Sequence, residues 1–338
     1  MSALYEVRDL NVSLPGQRLP GRLLPGRLLP ARLLPARLLP GAARRIELLQ
    51  GISLSIAAGE TFALVGESGS GKTTLARAML GLMPVSRGSL RFDGVALSSP
   101  RAFAGLRRST AMMFQDPVGS LSPRMTVGAL LTEPFVIHRI ALADRHARAG
   151  ELLDRVGLPA GLAGRYPHEL SGGQARRVCV ARALALNARL VIADEPTAGL
   201  DVSVQGEILN LMTGLKTALG LSFLVITHNL AMVRHIAERI AILYLGQLVE
   251  TGATAEVLAR PAHPYTRSLI ASEPQPDPRK RRADLAIRGE IPGILRRPSG
   301  CAFHSRCPLA QEICRVTAPD LRELGANRQV RCHFADDP

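Results

Sequence analysis

The chain has 338 residues, of which 46% are apolar and 21% charged, with no Trp and a net charge of +14. That length and balance place it among globular chains with one good core plus an appendage, or two modest domains. No segment approaches the roughly eighteen uncharged apolar residues of a membrane helix. Residues Met1 to Asp9 lack the basic-then-apolar pattern of a signal peptide. The sequence therefore predicts a cytosolic protein whose membrane role would run through partners.

Much of the positive charge is local. Between Asp9 and Glu47 there are no acids but seven arginines, and without them the chain would carry +7. Five of the seven belong to a pentad repeat, Arg-Leu-Leu-Pro-Gly/Ala, starting at Arg22, Arg27, Arg32 and Arg37, with a shortened copy at Arg18; the other two are Arg44 and Arg45. Proline every fifth residue forbids a helix or a central strand, so 16–45 reads as an extended low-complexity insertion. A basic-apolar membrane-surface contact is the alternative reading. A second basic cluster, Arg279 to Arg282, sits in a Pro-rich tail. Charge confined to loops argues for solvation or attraction to anionic surfaces more than for a nucleic-acid reading head.

From Ile46 the pattern turns to β. Ile52 to Ile56 alternates, and Thr61 to Val65 reads as a buried strand. A glycine-rich turn and a helix over Thr73–Leu80 follow. Ala111 to Phe114 is a further short strand, and 120–189 is mostly helical, including Arg148–Val156 and Gln174–Leu186. Leu190 to Ala193 and Leu221 to Ile226 are buried strands of a parallel sheet. Ile240–Leu245 and Gln247–Glu250 form a closing hairpin through Gly246, and beyond Pro261 the composition shifts to Pro, Arg and Cys.

The run Gly66-Glu67-Ser68-Gly69-Ser70-Gly71-Lys72-Thr73, followed by Thr74, fits G-x-x-x-x-G-K-[ST] in full. Between a strand and a helix it offers converging backbone amides to phosphates, Lys72 to the β/γ oxygens and the Thr73 hydroxyl to magnesium. Asp194 and Glu195 end an apolar strand, where the first can hold magnesium and the second polarise water. Gln115 and His228 follow two other strands; the first can reach magnesium or the attacking water, the second the γ-phosphate. Leu170-Ser171-Gly172-Gly173-Gln174 offers a second set of helix-start amides to a phosphate. Two phosphate sites in one chain imply an ATP site shared between copies, with Asp201 also within reach of the neighbouring half.

In order, these motifs resemble those of the ATP-binding-cassette ATPases. Phe114 to Asp116 with Pro117, Ser120 to Arg124, Glu133-Pro134, Tyr166 to Leu170, Asp201 to Gln205 and His263-Pro264-Tyr265 are similar to the ATPase subunits of oligopeptide, dipeptide and nickel importers. The resemblance implies an α/β fold: a P-loop, RecA-like core with an antiparallel β-subdomain, a helical subdomain at about 116–187, and a small Cys-rich extension. The ATPase domain would span 1–255 and the extension 256–338. It further implies ATP and Mg2+ as ligands, and a second ATPase subunit, identical or paralogous, as partner. Two transmembrane permease subunits and an external solute-binding protein complete the expected assembly. The protein would sit peripherally on the cytoplasmic face of the inner membrane, with no specific nucleic-acid partner. A soluble cassette acting on nucleic acid or in protein assembly is the competing class.

Family members often stack adenine on an aromatic near the end of the first strand, and the nearest counterpart here is Leu14. The tail holds Cys301, Cys307, Cys314 and Cys332, and a reducing cytosol argues against disulfides among them. They suit a four-cysteine site for zinc or an iron–sulfur cluster, or stand unligated. The family resemblance implies a structural [4Fe-4S] cluster. His304 and His333 are surface residues or alternative ligands, and Cys179 a small core residue.

Overall fold

The computed structural model describes residues 3–15, 45–116, 119–273, 289, 292–294, 297–325 and 327–335. Nearly all of the pentad insertion, 16–44, and the basic cluster at 279–282 lie outside these residues.

Strands β1 (Ala3–Leu14), β2 (Ile46–Ala57), β4 (Arg87–Phe92) and β5 (Val95–Ala96) form an antiparallel sheet in the order β2-β1-β4-β5. Its inward face follows the period-two pattern, with Ile52, Leu54 and Ile56 of β2 buried. The larger sheet contains β3 (Thr61–Val65), β6 (Thr110–Met113), β7 (Leu190–Asp194), β8 (Ser222–Thr227), β9 (Arg239–Tyr244), β10 (Gln247–Ala253), β11 (Arg322–Glu323) and β12 (Gln329–Val330). Its order is β11-β12-β10-β9-β3-β8-β7-β6, and β9, β3, β8, β7 and β6 run parallel. Every residue of β3, β7 and β8 is buried, as expected for strands covered on both faces.

Ten helices connect or cover these strands among the described residues: α1 (Lys72–Met79), α2 (Pro100–Ser109), α3 (Val127–Ile137), α4 (Arg145–Asp154), α5 (Gly172–Ala183), α6 (Val202–Leu219), α7 (Leu230–Ile236), α8 (Thr254–Ala259), α9 (Pro264–Ala271) and α10 (Glu312–Val316). Caps explain where two of them start earlier than apolar periodicity predicts. Asp144 Oδ1 accepts from the amides of His146 and Ala147 at 2.7 and 3.0 Å, which moves the start of α4 ahead of Arg148. Ser171 and Gln174 form a reciprocal capping box, so α5 begins at Gly172. Helices α3, α4 and α5 pack around Leu130, Leu131, Leu153 and Val178 to form the helical layer beside β6 and β7.

The main sheet crosses the boundary expected at 255/256. Strand β12 pairs with β10, Val330 opposite Glu250, and Tyr265 and Phe303 share one apolar cluster with Ala63, Val65 and Tyr244. No described helix is long and apolar enough to cross a membrane.

Candidate active site

Parallel strands β3, β8, β7 and β6 end on one side of the sheet, where open α/β sheets bind ligands. The loop after β3 begins at Gly66, where a Cβ would lie 2.3 Å from the Leu243 carbonyl oxygen, so glycine alone fits. It ends at Gly71, φ 108°, which caps α1 in a left-handed conformation. Lys72 is largely buried and donates to the carbonyls of Gly66 and Glu67 at 2.7 and 2.8 Å. Burial pulls its ammonium below the ordinary lysine range, against the pull of Glu195, Asp194 and Glu67. Ser70 Oγ is buried without a hydrogen-bond partner, which leaves a hydroxyl donor inside this loop.

Thr73 Oγ1 donates to Asp194 Oδ2 at 2.8 Å. Burial raises the Asp194 carboxyl, Thr73 opposes that rise, and the neighbouring Glu195 adds to it. A hydroxyl and a carboxylate so placed are hard oxygen donors suited to Mg2+ beside phosphates. Glu195 follows in left-handed backbone, φ 51°. Its Oε1 lies 2.7 Å from His228 Nδ1, and Thr227 Oγ1 donates to Oε2 at 3.3 Å.

A cavity of about 940 Å³ opens over these groups. Glu67, Ser68, Gly69, Gly71, Lys72, Thr73 and Thr74 line it, with Gln115, Asp194, Glu195 and His228. Gly66 and Ser70 do not line it. Ser171, Gly172, Gly173, Gln174 and Asp201 do not line it. Ser171 and Gly172 are solvent-exposed instead, and Asp201 caps α6 through the Val204 amide at 3.0 Å. Neither Gly172 nor Gly173 has positive φ, and a Cβ on Gly173 would meet only Val204 Cγ1 at 3.7 Å. This chain's own packing therefore does not require glycine at either position.

The expected adenine neighbour Leu14 does not line the cavity; Leu48 and Leu245 do, with Pro292, Gly293 and Ile294 of the extension. Strand β1 pairs Leu14 with Ile46, so Leu48, two residues further along β2, is the apolar side chain nearer the phosphate loop. Arg297 fixes the extension here by donating to the carbonyls of Glu47 and Leu245 at 3.2 and 2.6 Å. Sequence reasoning missed this wall because it joins segments far apart in the chain.

Cys301, Cys307, Cys314 and Cys332 line one small cavity, together with His304 and His333. All four are free thiols. Burial pushes the Cys307 thiol up to about 11 and raises Cys301 and Cys332, with the neighbouring cysteines adding to each. Among the described residues no group of three or more His, Cys, Asp or Glu is arranged to hold a metal ion. The expected ligand set is thus brought together, but not in ligating geometry. Cys179 is a buried core residue, as expected.

The sequence matches the family model described as ABC transporter over residues 49–198, and that described as oligopeptide/dipeptide transporter, C-terminal region, over 249–314. It is 47% identical over 288 residues to a protein of Brucella abortus (strain 2308) named for peptide import and ATP binding, covering 84% of this chain and 85% of that protein. A similarly named protein of Brucella ovis is 46% identical, covering 85% of this chain and 92% of the relative. Among solved structures, a cassette from Clostridium perfringens that is part of an ABC transporter complex is 26% identical with TM-score 0.62, over 77% of this chain and 92% of that chain. A dimeric ATP-binding cassette in a post-hydrolysis state with ADP and Pi is 25% identical with TM-score 0.59, over 74% and 98%. The phosphate loop, the strand-end acids and both family matches agree: the chain belongs to the ATP-binding, ATP-hydrolysing subunits of the ABC transporter family, in the oligopeptide/dipeptide branch.

Proposed function

We propose that this chain is the motor subunit of an ABC importer for peptides, turning ATP-driven closure of two cassettes into transport through separate membrane subunits. The observation that carries this reading is one chain holding both a complete phosphate loop with strand-end acids and the extension typical of peptide importers. The peptide-import names of relatives at 46–47% identity support the same cargo class.

In this reading the amides of Gly66 to Thr74 cradle the triphosphate and Lys72 neutralises its β and γ oxygens. Thr73, Asp194 and Gln115 would hold Mg2+, which when bound neutralises phosphate charge. Glu195 accepts a proton from the attacking water, and His228 orients Glu195. The start of α5, Ser171 to Gln174, and Asp201 serve the ATP held by a second cassette, identical or paralogous. Two permease subunits dock beside Gln115 on the groove lined by Phe114, Ser120, Pro134, His138 and Arg182. Exposed Phe114, Val136 and Ile137 support that site. An external solute-binding protein delivers cargo, and the chain lies peripherally on the cytoplasmic face of the inner membrane.

Co-purification tests the assembly. Membrane subunits should accompany the protein from detergent extracts, whereas salt-sensitive RNA or DNA in their place would favour a cassette acting on nucleic acid.

The four converging cysteines support an iron–sulfur cluster with a structural role, held after the thiols shed their protons. Anaerobic purification should then give a coloured protein with stoichiometric iron and sulfide. A colourless, iron-free preparation would remove the cluster.

A further inference from the structure

Glu67, the second residue of the phosphate loop, is held from outside the ATPase core. Its carboxylate Oε2 accepts from Arg306 Nη1 at 3.1 Å, across 239 residues of sequence. The pair is shielded, with side-chain exposures of 6% for Arg306 and 19% for Glu67. The same guanidinium donates to Tyr244 Oη at 3.4 Å and lies 5.8 Å from that ring's centre. The Glu67 amide donates to Tyr265 Oη at 3.0 Å. Tyr244, Tyr265 and Phe303 pack ring against ring at 4.7 to 5.3 Å, so both holders of Glu67 rest on one rigid aromatic cluster. Arg306 itself sits in the turn between Cys301 and Cys307, where its amide donates to the Phe303 carbonyl at 3.0 Å.

A carboxylate in this loop opposes its task. Glu67 lines the same cavity as Lys72, and its carbonyl already accepts from Lys72 Nζ. A triphosphate brings further negative charge to that place, where shielding from water strengthens repulsion. A guanidinium paired to the carboxylate cancels that charge and fixes its position.

We propose that Arg306 is a positioning residue for ATP binding: it restrains and neutralises Glu67, so that Lys72 and the loop amides face the triphosphate without a competing carboxylate. The extension thereby becomes part of the ATP site. This inference rests on the reading of residues 66–74 as the triphosphate cradle.

Equilibrium titration of the full chain with a fluorescent, non-hydrolysable ATP analogue and Mg2+ tests it, in wild type, Arg306→Gln, Glu67→Gln and the double variant. Arg306→Gln should weaken binding about tenfold or more, and Arg306→Lys, which keeps the charge but loses the fork, should weaken it less. In the Glu67→Gln background, Arg306→Gln should cost about twofold or less, because no carboxylate remains to restrain. A role confined to holding the extension in place would give the same loss in both backgrounds. Such additivity overturns the proposal, as does an Arg306→Gln variant that binds like wild type. Should Arg306→Gln not fold, the Lys variant carries the same comparison in both Glu67 backgrounds. Wild-type protein that fails to bind the analogue would instead overturn the assignment of the cradle itself.

Discussion

His228 Nδ1 stands 2.7 Å from Glu195 Oε1, a contact created by two adjacent parallel strands ending together. Strand β7 pairs Asp194 with Ile226 of β8, and the Glu195 amide then donates to the Ile226 carbonyl at 2.8 Å. The left-handed backbone at Glu195 turns the chain immediately after Asp194. Such a conformation costs about 1–3 kcal/mol and persists where surrounding structure enforces it. Adjacent residues in an extended strand would face opposite sides. The turn instead leaves both carboxylates lining one cavity.

Replacing Glu195 by Gln keeps the shape and removes the base. Hydrolysis should fall about 10²- to 10⁴-fold while ATP affinity stays near wild type. Phosphate release and nucleotide binding, measured on the same preparation, separate the two effects. Near-normal turnover would take Glu195 out of its role.

Gly173 gives a test of the shared site. Alanine fits there without strain in this chain, since φ is not positive and the nearest atom is ordinary contact distance away. Gly173→Ala should leave the isolated chain as stable or up to about 1 kcal/mol more stable. Its new methyl group would meet the triphosphate held by the second cassette, and hydrolysis should fall about 100-fold. Thermal melts and ATPase assays read the two properties. Unchanged turnover would show that this helix start touches no second nucleotide.

The parts legible in the sequence were those that local chemistry specifies. A phosphate loop needs its glycines and Lys72 within eight residues, and the apolar strand before Asp194 announces itself by composition. The placement of Gln115 and His228 followed from their strand-end positions, because parallel strands bring their carboxyl ends to one side. The contributions of the extension were not legible. Arg306 reaches Glu67, and Pro292 to Ile294 reach the cavity, through packing that no periodicity encodes. Leu48 was hidden for a different reason: the pentad insertion separates β1 from β2 and obscures which residue ends up beside the loop.

The extension is also tied to the sheet by Arg328 and Glu250, whose side chains are 1% and 0% exposed and 2.7 Å apart. Glu250 further accepts from the amides of Ala262 and His263 at 3.0 and 2.9 Å. Arg328→Met would leave that carboxylate buried without its cation, which typically costs about 3–5 kcal/mol. The two backbone donors that remain place the expected loss near the lower end of that range. A urea midpoint within error of wild type would show the pair to be dispensable.

His263 makes the stability of this junction depend on pH. It is fully buried, caps α9 by accepting from the Tyr265 amide at 3.0 Å, and packs against Phe303. Burial pushes its pKa down to about 3 from an ordinary 6.5, against the pull of a hydrogen bond to the Arg331 backbone and with lesser repulsion from the Arg267 and Arg331 side chains. Below pH 6.5 the unfolded chain therefore binds a proton that the folded chain refuses. The contribution is fully present above that pH and lost on acidification, by about 1.4 kcal/mol per pH unit until the folded pKa is reached. His263→Asn keeps a capping oxygen and removes the titration. Between about pH 6 and pH 4.5, its unfolding free energy should fall less steeply than wild type by about that amount per unit. Parallel slopes for the two proteins would show that His263 is protonated within the fold, and that its burial does not set the acid sensitivity.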